Sequence, residues 1–278
     1  MSPSKDSTSS WTVPMGPRQG VTSGVPGCSA QVTVMGAEPD GVNINDGYGS
    51  THPEQLQEAV VRLGADLGIA HDGDADRTLA VDHTGRLIDG DYLLAILALG
   101  MHSRGELRNN AVAVTVMSNL GLRRLLADKG IAVHDTKVGD RYVLEALQEH
   151  SLSLGGEQSG HIILADHQTT GDGILTGLHI ASEMVRSGST LADLADQMTV
   201  YPQVLVNVPD MNISGLEGNQ AVANAVAAAE AELGESGRVL LRPSGTEPLV
   251  RIMVEAASRE DAERIAQDIA GVVRQELG

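Results

Sequence analysis

The sequence predicts an α/β protein, with mixed and parallel-sheet α/β domains followed by a C-terminal α+β domain. Three observations carry the fold class. Short apolar runs alternate with helical periods from Gln31 to about Arg186. After about Thr199 the rhythm changes to two strands set between two helices. The 278 residues are 41% hydrophobic and 20% charged, enough apolar material for ordinary globular cores. Those cores must be aliphatic, because there is no Phe, one Trp and four Tyr.

Taken in order, residues 1–30 are rich in Ser, Gly, Pro and Thr and show neither helical nor strand period. A disordered or poorly packed lead is expected there. Residues 31–35 alternate as a strand, and 53–63 read as a helix with Pro53 suited to its first turn. A short apolar run at 67–70 leads into an acidic loop and a strand at 78–82. A helix at 92–101, a strand at 111–116 and a helix at 120–129 follow. Then come a strand at 132–134, a helix at 142–149, a strand at 161–164 and a helix at 173–186. The last part predicts a strand at 204–208, an Ala-rich helix at 217–233, strands at 238–241 and 249–256, and an amphipathic helix at 259–275.

Composition also excludes function classes. With 37 acidic and 19 basic residues the formal charge is −18, a field that opposes nonspecific nucleic-acid binding. Cys28 is the single cysteine, so neither an intrachain disulfide nor a cysteine-based metal site is possible. The longest apolar stretch, 92–101, falls far short of the ~20 residues that span a bilayer. No apolar leader precedes it, so a cytoplasmic protein without a membrane partner is expected.

The chemistry-bearing segments are few. In His71-Asp72-Gly73-Asp74-Ala75-Asp76-Arg77, three carboxylates at alternate positions follow a short apolar strand, where α/β proteins place ligand sites. Their mutual repulsion needs compensation. Mg²⁺ supplies it, taking carboxylate oxygens while keeping positions for phosphate or water. Arg77 can offset the remaining charge or hold a substrate phosphate; a solvated acidic turn is the plain alternative. An EF-hand is excluded, since its Gly position holds Arg77 and its twelfth position His83. In Gly155-Gly156-Glu157-Gln158-Ser159-Gly160-His161, Glu157 and Ser159 can bind vicinal hydroxyls and His161 can move a proton near neutral pH. A Gly-rich turn with a capping Ser fits equally. The stretch from Arg242 to Arg251 offers Ser244, Gly245, Thr246 and two flanking arginines, a kit for gripping a phosphate dianion. Lys137 and Arg141 add basic groups ahead of a helix, where ordinary surface charge is the alternative. Together these loops suggest a phosphosugar handled by phosphoryl transfer.

HDGDADR, TKVGDRYV, GGEQSGH and RPSGTEPLVRIMVE resemble the metal, domain-three, sugar-specificity and phosphate loops of the α-D-phosphohexomutases. GEQSGH together with EPDGVNINDGYGSTH resembles the phosphoglucosamine mutases among them. The likeness runs in order from about Gln31 to Leu277. It implies Mg²⁺ on Asp72, Asp74 and Asp76, with Arg77 and His161 as catalytic residues. It also implies substrate on Lys137, Arg141, Glu157, Ser159, Arg242, Ser244, Gly245, Thr246 and Arg251. The domains implied are an atypical lead at 1–30, part of a second domain carrying the metal loop at 31–88, a third domain at 89–198 and a phosphate-binding domain at 199–278. The activity implied is interconversion of glucosamine 6-phosphate and glucosamine 1-phosphate through a bisphosphate, a step toward amino-sugar nucleotides and cell-wall precursors.

One departure limits this. The family's first domain carries a phosphoserine in a Ser-His-Asn-Pro loop, which donates the phosphoryl group and also ligates the metal. No such motif occurs in these 278 residues. The chain alone is therefore expected to be inactive, a noncatalytic phosphosugar-binding remnant or one completed by a separately encoded N-terminal domain. A haloacid-dehalogenase-like phosphatase is the weaker alternative: Asp74-Ala75-Asp76-Arg77-Thr78 fits its D-x-D-x-T string but lacks the apolar strand directly before the first Asp.

The lead has its own reading. The family opens its second domain with a strand and a Val-Asp-Cys-Ala-Asn-Gly-Ala turn. If Ser10 is encoded TCG, reading Ser10-Trp11-Thr12-Val13-Pro14-Met15-Gly16-Pro17 one nucleotide earlier permits that turn. Its Asp and Gly are forced whichever synonymous codons are used. Residues 10–29 are accordingly expected to be a frame-shifted family sequence; incompatible codons would end the idea.

Overall fold

A computed structural model describes residues 10–14 (backbone only), 30–36, 42–244 and 247–278. The chain forms two compact units. One is Met1–Ser118 with Leu122–Thr199, and the other is Asn119–Gly121 with Val200–Gly278. Among the described residues no helix is long and apolar enough to cross a membrane.

The first unit holds two sheets. One contains β1 (Ser10–Pro14), β2 (Gln31–Met35), β3 (Leu67–His71), β4 (Thr78–Asp82) and β5 (Leu87–Ile88) in the order β2-β1-β3-β4-β5. Strand β1 runs parallel to β2 and β3, whereas β4 is antiparallel to β3 and β5. The sequence predicts no element before Gln31, so β1 corrects that expectation. Trp11, Thr12 and Val13 are strand formers, but five residues between Ser-, Gly- and Pro-rich flanks are too few to display a period. Apart from β1 and Ala30, the expected disordered or frame-shifted lead lies outside the described residues.

The second sheet contains β6 (Ala111–Thr115), β7 (Ala132–Thr136), β8 (Leu154–Gly156) and β9 (Ile162–Leu164) in the order β7-β6-β8-β9. Strand β6 is parallel to β7 and β8, and β8 turns back antiparallel into β9. The helices are α1 (Glu54–Leu63), α2 (Gly90–Arg104), α3 (Leu120–Asp128), α4 (Asp140–Glu149), α5 (Gly173–Ser187) and α6 (Leu191–Ala195). Helix α2 is the centre of the unit. Leu93 to Ala98 is apolar on every side and wholly buried, as an all-round apolar helix must be. It packs on α5, α6, β4 and β8, in one aliphatic cluster with Ile69, Val112, Val114 and Leu154. It starts earlier than its apolar period because the Asp89 carboxylate accepts from the Asp91 and Tyr92 N–H groups, and it stops at Gly105, whose φ is +70°. Strands β5 and β8 and helix α6 are two, three and five residues long, too short to announce themselves by pattern.

The β4–β5 hairpin is held by a buried carboxylate. Asp82 Oδ1 accepts from Thr84 N–H (2.9 Å), Thr84 Oγ1 (2.6 Å) and Arg86 N–H (3.2 Å), while Oδ2 meets Arg86 Nε at 2.9 Å. Burial pushes the Asp82 pKa up, but the donors from Thr84 and Arg86 outweigh it and hold the group below the ordinary carboxylate value. Its stabilisation is therefore complete above the unfolded carboxylate pKa and lost as pH falls through the lower folded value. Asp82→Ala is expected to cost about 1.5–3 kcal/mol at neutral pH. Urea denaturation should show that gap closing below about pH 3.9. A gap that stays constant into acid would refute this account of the hairpin.

The second unit is an antiparallel sheet of β10 (Gln203–Pro209), β11 (Arg238–Pro243) and β12 (Leu249–Glu255) in the order β10-β12-β11, with α7 (Gln220–Leu233) and α8 (Arg259–Leu277). This is the predicted α+β arrangement. Val250, Ile252 and Val254 pack with Ile265, Ile269 and Val273 of α8, so strand alternation sends Arg251, Met253 and Glu255 to the opposite face. Glu255 is fully buried and satisfied, accepting from Arg238, from Gln203 Nε2 (3.2 Å) and from the Leu120 N–H (3.2 Å).

Candidate functional site

The acidic loop occupies the link between β3 and β4. The Ala75 N–H donates to the Asp72 carbonyl at 3.1 Å, and Ala75 itself sits at φ +60°. A left-handed non-glycine residue costs about 1–2 kcal/mol, so contacts elsewhere must hold this turn. It places ligand oxygens of Asp72, Asp74 and Asp76 within 4.8 Å of one another. The donor set is entirely carboxylate, the chemistry of a hard divalent cation, and the spacing is within side-chain adjustment of one octahedral shell. Arg77 supplies counter-charge: its Nε lies 2.8 Å from Asp72 Oδ2 and 3.5 Å from Asp76 Oδ1, and its N–H donates to Asp72 Oδ1 at 3.1 Å. Asp72 is buried, Asp76 half-buried and Asp74 exposed, so the loop reaches from the core to solvent. Burial pushes the neighbouring His71 imidazole below its ordinary pKa, keeping it neutral beside these carboxylates.

The hydroxyl loop between β8 and β9 is joined to the acidic loop through the backbone. The Thr78 N–H donates to the Gly160 carbonyl at 3.0 Å, and Arg77 bridges His161. Gly160 has φ +92°, and a Cβ there would fall 2.1 Å from the Thr78 carbonyl oxygen, so only glycine permits this approach. Gln158 ties the loop to α2, its Nε2 donating to Asp89 Oδ2 at 3.2 Å and its carbonyl accepting from the Gly90 N–H at 3.0 Å. Burial pushes the Asp89 carboxyl upward. Glu157 Oε1 accepts from the Gly139 N–H at 2.9 Å, which brings the Lys137–Arg141 loop alongside. Lys137 Nζ sits 5.7 Å from the Tyr142 ring centroid. Arg141 is exposed and pairs with Glu145 at 2.8 Å along α4, and Ser159 is exposed at the loop tip.

His161 is buried at the end of this loop. It is 4% exposed, its Nδ1 lies 3.0 Å from Asp76 Oδ2, and its Nε2 accepts from the Gly171 N–H at 3.1 Å. Both ring nitrogens therefore meet protein partners in this structure.

The second unit holds the remaining predicted residues. Arg242 and Arg251 are directly opposite in the β11–β12 register, two like charges on one face of the sheet. Burial, then the charge of Arg251, pushes the Arg242 pKa down. Arg251 Nε is buried with no hydrogen-bond partner among the described residues, and its nearest carboxylate, Glu247, is 3.8 Å away. Two crowded guanidinium groups with one distant carboxylate make a strong anion locus. Ser244 is buried beside them and its N–H donates to the Leu249 carbonyl at 2.9 Å. Gly245 and Thr246 lie outside the described residues.

Sequence reasoning missed Gly171, Asp172 and Gly173. The Gly173 N–H donates to the Ala75 carbonyl at 2.9 Å, and Asp172 caps α5 through the Leu175 N–H at 2.9 Å. Glycines on both sides of an N-cap Asp were the available signal; no motif linked them to a loop almost 100 residues earlier.

Comparison with known proteins speaks for the family and the fold. Residues 89–201 match the alpha/beta/alpha domain III of phosphoglucomutase/phosphomannomutase, and residues 205–272 match its C-terminal domain. The phosphoglucosamine mutase of Leifsonia xyli subsp. xyli (strain CTCB07) is 61% identical over 248 residues. The chain belongs to the α-D-phosphohexomutase superfamily. The phosphoglucosamine mutase of Paenarthrobacter aurescens (strain TC1) is 59% identical over 249 residues. These matches take in 89% and 90% of the chain but 55% of each relative, so the chain spans about half the length of the curated relatives it matches. Among solved structures, the N-acetylphosphoglucosamine mutase of Aspergillus fumigatus, in complex with GlcNAc-6P and magnesium, superposes with a TM-score of 0.75. That likeness covers 96% of this chain and 62% of the other, and at 21% identity it speaks for the superfamily fold alone.

Proposed function

We propose that this chain carries the metal-, sugar- and phosphate-binding parts of a phosphohexomutase that interconverts glucosamine 6-phosphate and glucosamine 1-phosphate through a bisphosphate. The observation that carries the reading is the clustering of the Asp72, Asp74 and Asp76 oxygens beside the backbone-paired Glu157–His161 loop. The names of the 59–61% identical relatives support the same substrate class. In this reading 31–88, 89–198 and 199–278 are the family's second, third and C-terminal domains, and the protein works in the cytoplasm.

Asp72, Asp74 and Asp76 would hold Mg²⁺, which when bound neutralises charge on a transferring phosphoryl group. Arg77 guides and offsets the same charge. Glu157 keeps Oε2 for sugar hydroxyls while Oε1 is fixed by Gly139, with Ser159 and Lys137 nearby and Arg141 at the start of α4. Arg242, Ser244, Gly245, Thr246 and Arg251 grip the phosphate remote from the reaction. Phosphoryl transfer depends chiefly on such positioning and charge stabilisation. A second reading, a noncatalytic phosphosugar-binding protein, is favoured by the lack of a Ser-His-Asn-Pro motif in these residues. A separately encoded first domain would restore the enzyme.

The test of the metal site is calorimetric. Asp74→Asn removes one of three anionic ligands and is expected to weaken Mg²⁺ severalfold or more, while the exposed side chain leaves folding intact. Unchanged affinity would remove the metal assignment.

A further inference from the structure

We propose that His167 and His179 form a second metal site, a two-histidine chelate for a divalent transition ion of the zinc class. His167 lies in the loop after β9, and His179 lies in the second turn of α5. Their ring centroids are 5.2 Å apart, with the ring planes tilted by 52°. Two imidazoles bound tetrahedrally to one zinc, each nitrogen ~2.0–2.1 Å from the metal, place their centroids at about that separation. Among the described residues none hydrogen-bonds either ring, so both keep lone pairs open to an ion. The other histidine pair differs. His134 and His150 stack at 4.1 Å and 28°, closer than such a chelate allows.

The surroundings suit neutral imidazole ligands. Burial, then His167 and Arg186, pushes the His179 pKa below its ordinary value, so the ring is unprotonated at neutral pH. The fixed charges nearby compensate one another. Glu183 meets Arg104 at 2.8 Å and Arg186 at 3.2 Å, Arg104 also meets Glu106 at 2.7 Å, and Arg108 pairs with Asp166. Three arginines thus stand against three carboxylates, and an incoming dication faces no net positive field. His167 is exposed and His179 half-buried, which leaves the remaining coordination positions to water. Imidazole favours zinc, copper and nickel, whereas Mg²⁺ takes oxygen, so ligand chemistry sorts the ions between this pair and the acidic loop. His167 precedes and His179 follows the Gly171–Gly173 turn, whose Gly173 N–H holds the Ala75 carbonyl at 2.9 Å. An ion bound by both rings closes that loop against α5 and removes loop freedom from the unfolded chain.

Zn²⁺ titrated by calorimetry into the untagged chain in saturating Mg²⁺ is expected to bind and to raise the melting temperature. Losing a ligand should cost at least what losing a group that merely orients one costs. His167→Ala and His179→Ala are therefore each expected to weaken Zn²⁺ by roughly ten- to a hundredfold. His150→Ala, in the stacked pair, should leave the affinity unchanged. Imidazole NMR signals of His167 and His179 should move together as Zn²⁺ is added. Absence of Zn²⁺ binding, or unchanged affinity in either His167→Ala or His179→Ala, would overturn the proposal. So would a loss of Zn²⁺ affinity in Asp74→Asn with none in the two histidine variants, which would put the ion on the acidic loop. Should His179→Ala fail to fold, His167→Ala decides, since its side chain is exposed and its removal leaves the core untouched.

Discussion

Arg251→Ala is expected to bind glucosamine 6-phosphate roughly ten- to a hundredfold more weakly than the unaltered chain. The size follows from a charge-assisted contact worth about 1.5–3 kcal/mol when it is sheltered from water. The direction follows from the geometry of the second unit. Arg251 has a buried Nε with no partner among the described residues, and it faces Arg242 across the β-ladder. The pair repel each other until an anion lies between them, so removing one arginine relieves strain in the free protein and removes an anchor from the bound one. A thermal melt separates these effects, since Arg251→Ala should melt no lower than the unaltered protein while losing affinity. Calorimetry with equal affinity in a folded variant would move the phosphate locus elsewhere. Glu247→Gln is the companion measurement. At 3.8 Å its carboxylate is a weak competitor for Arg251, so its neutralisation should leave binding unchanged or slightly stronger.

The sequence made the second unit legible almost entirely, because its strands alternate cleanly and α8 repeats its apolar residues at helical spacing. The acidic loop was legible for another reason. Three Asp at alternate positions have few structural explanations, and the structure converges their oxygens as a hard-cation reading requires. What the sequence concealed is what depends on distant chain segments meeting. The left-handed Ala75 carries no glycine signal, because the amide of Gly173 supplies what the local residues do not. His161 looked like a proton carrier because an imidazole next to a glycine-bounded loop has that chemistry by default. Its burial and its partners were hidden, and one of them, Gly171, is ten residues away with no motif to announce it. Likewise Gly139 reads as a helix-start glycine, while its amide is the group that fixes Glu157. Strand β1 was hidden by composition, five residues of strand set in a Ser-, Gly- and Pro-rich stretch.

A polypeptide of these 278 residues, supplied with Mg²⁺, glucosamine 6-phosphate and glucose 1,6-bisphosphate as primer, is expected to give no sustained conversion to glucosamine 1-phosphate. The reasoning is one of inventory. In the proposed reading, binding groups account for positioning and charge: Asp72, Asp74 and Asp76 for the metal, Arg77 for developing charge, and Arg251 for the far phosphate. Phosphoryl transfer also requires a donor in line with the acceptor. His161 cannot serve, with both ring nitrogens engaged by Gly171 and Asp76. Nor can Ser159 or Ser244 stand in. Ser159 is at the exposed tip of the hydroxyl loop, and Ser244 is buried in the second unit beside the arginines proposed to hold the non-reacting phosphate. The bisphosphate should therefore bind as a phosphosugar without leaving its phosphate on the protein. Mass spectrometry after incubation should find the chain unphosphorylated, and a coupled assay should match a mock purification. Addition of a separately expressed first domain from a relative is the complementary arm, where turnover would show that the metal, sugar and phosphate groups are competent once a donor is supplied. Sustained conversion by the chain alone would mean that one of its own serines or aspartates accepts the phosphoryl group. Locating that phosphorylated residue would then rewrite the mechanism around it.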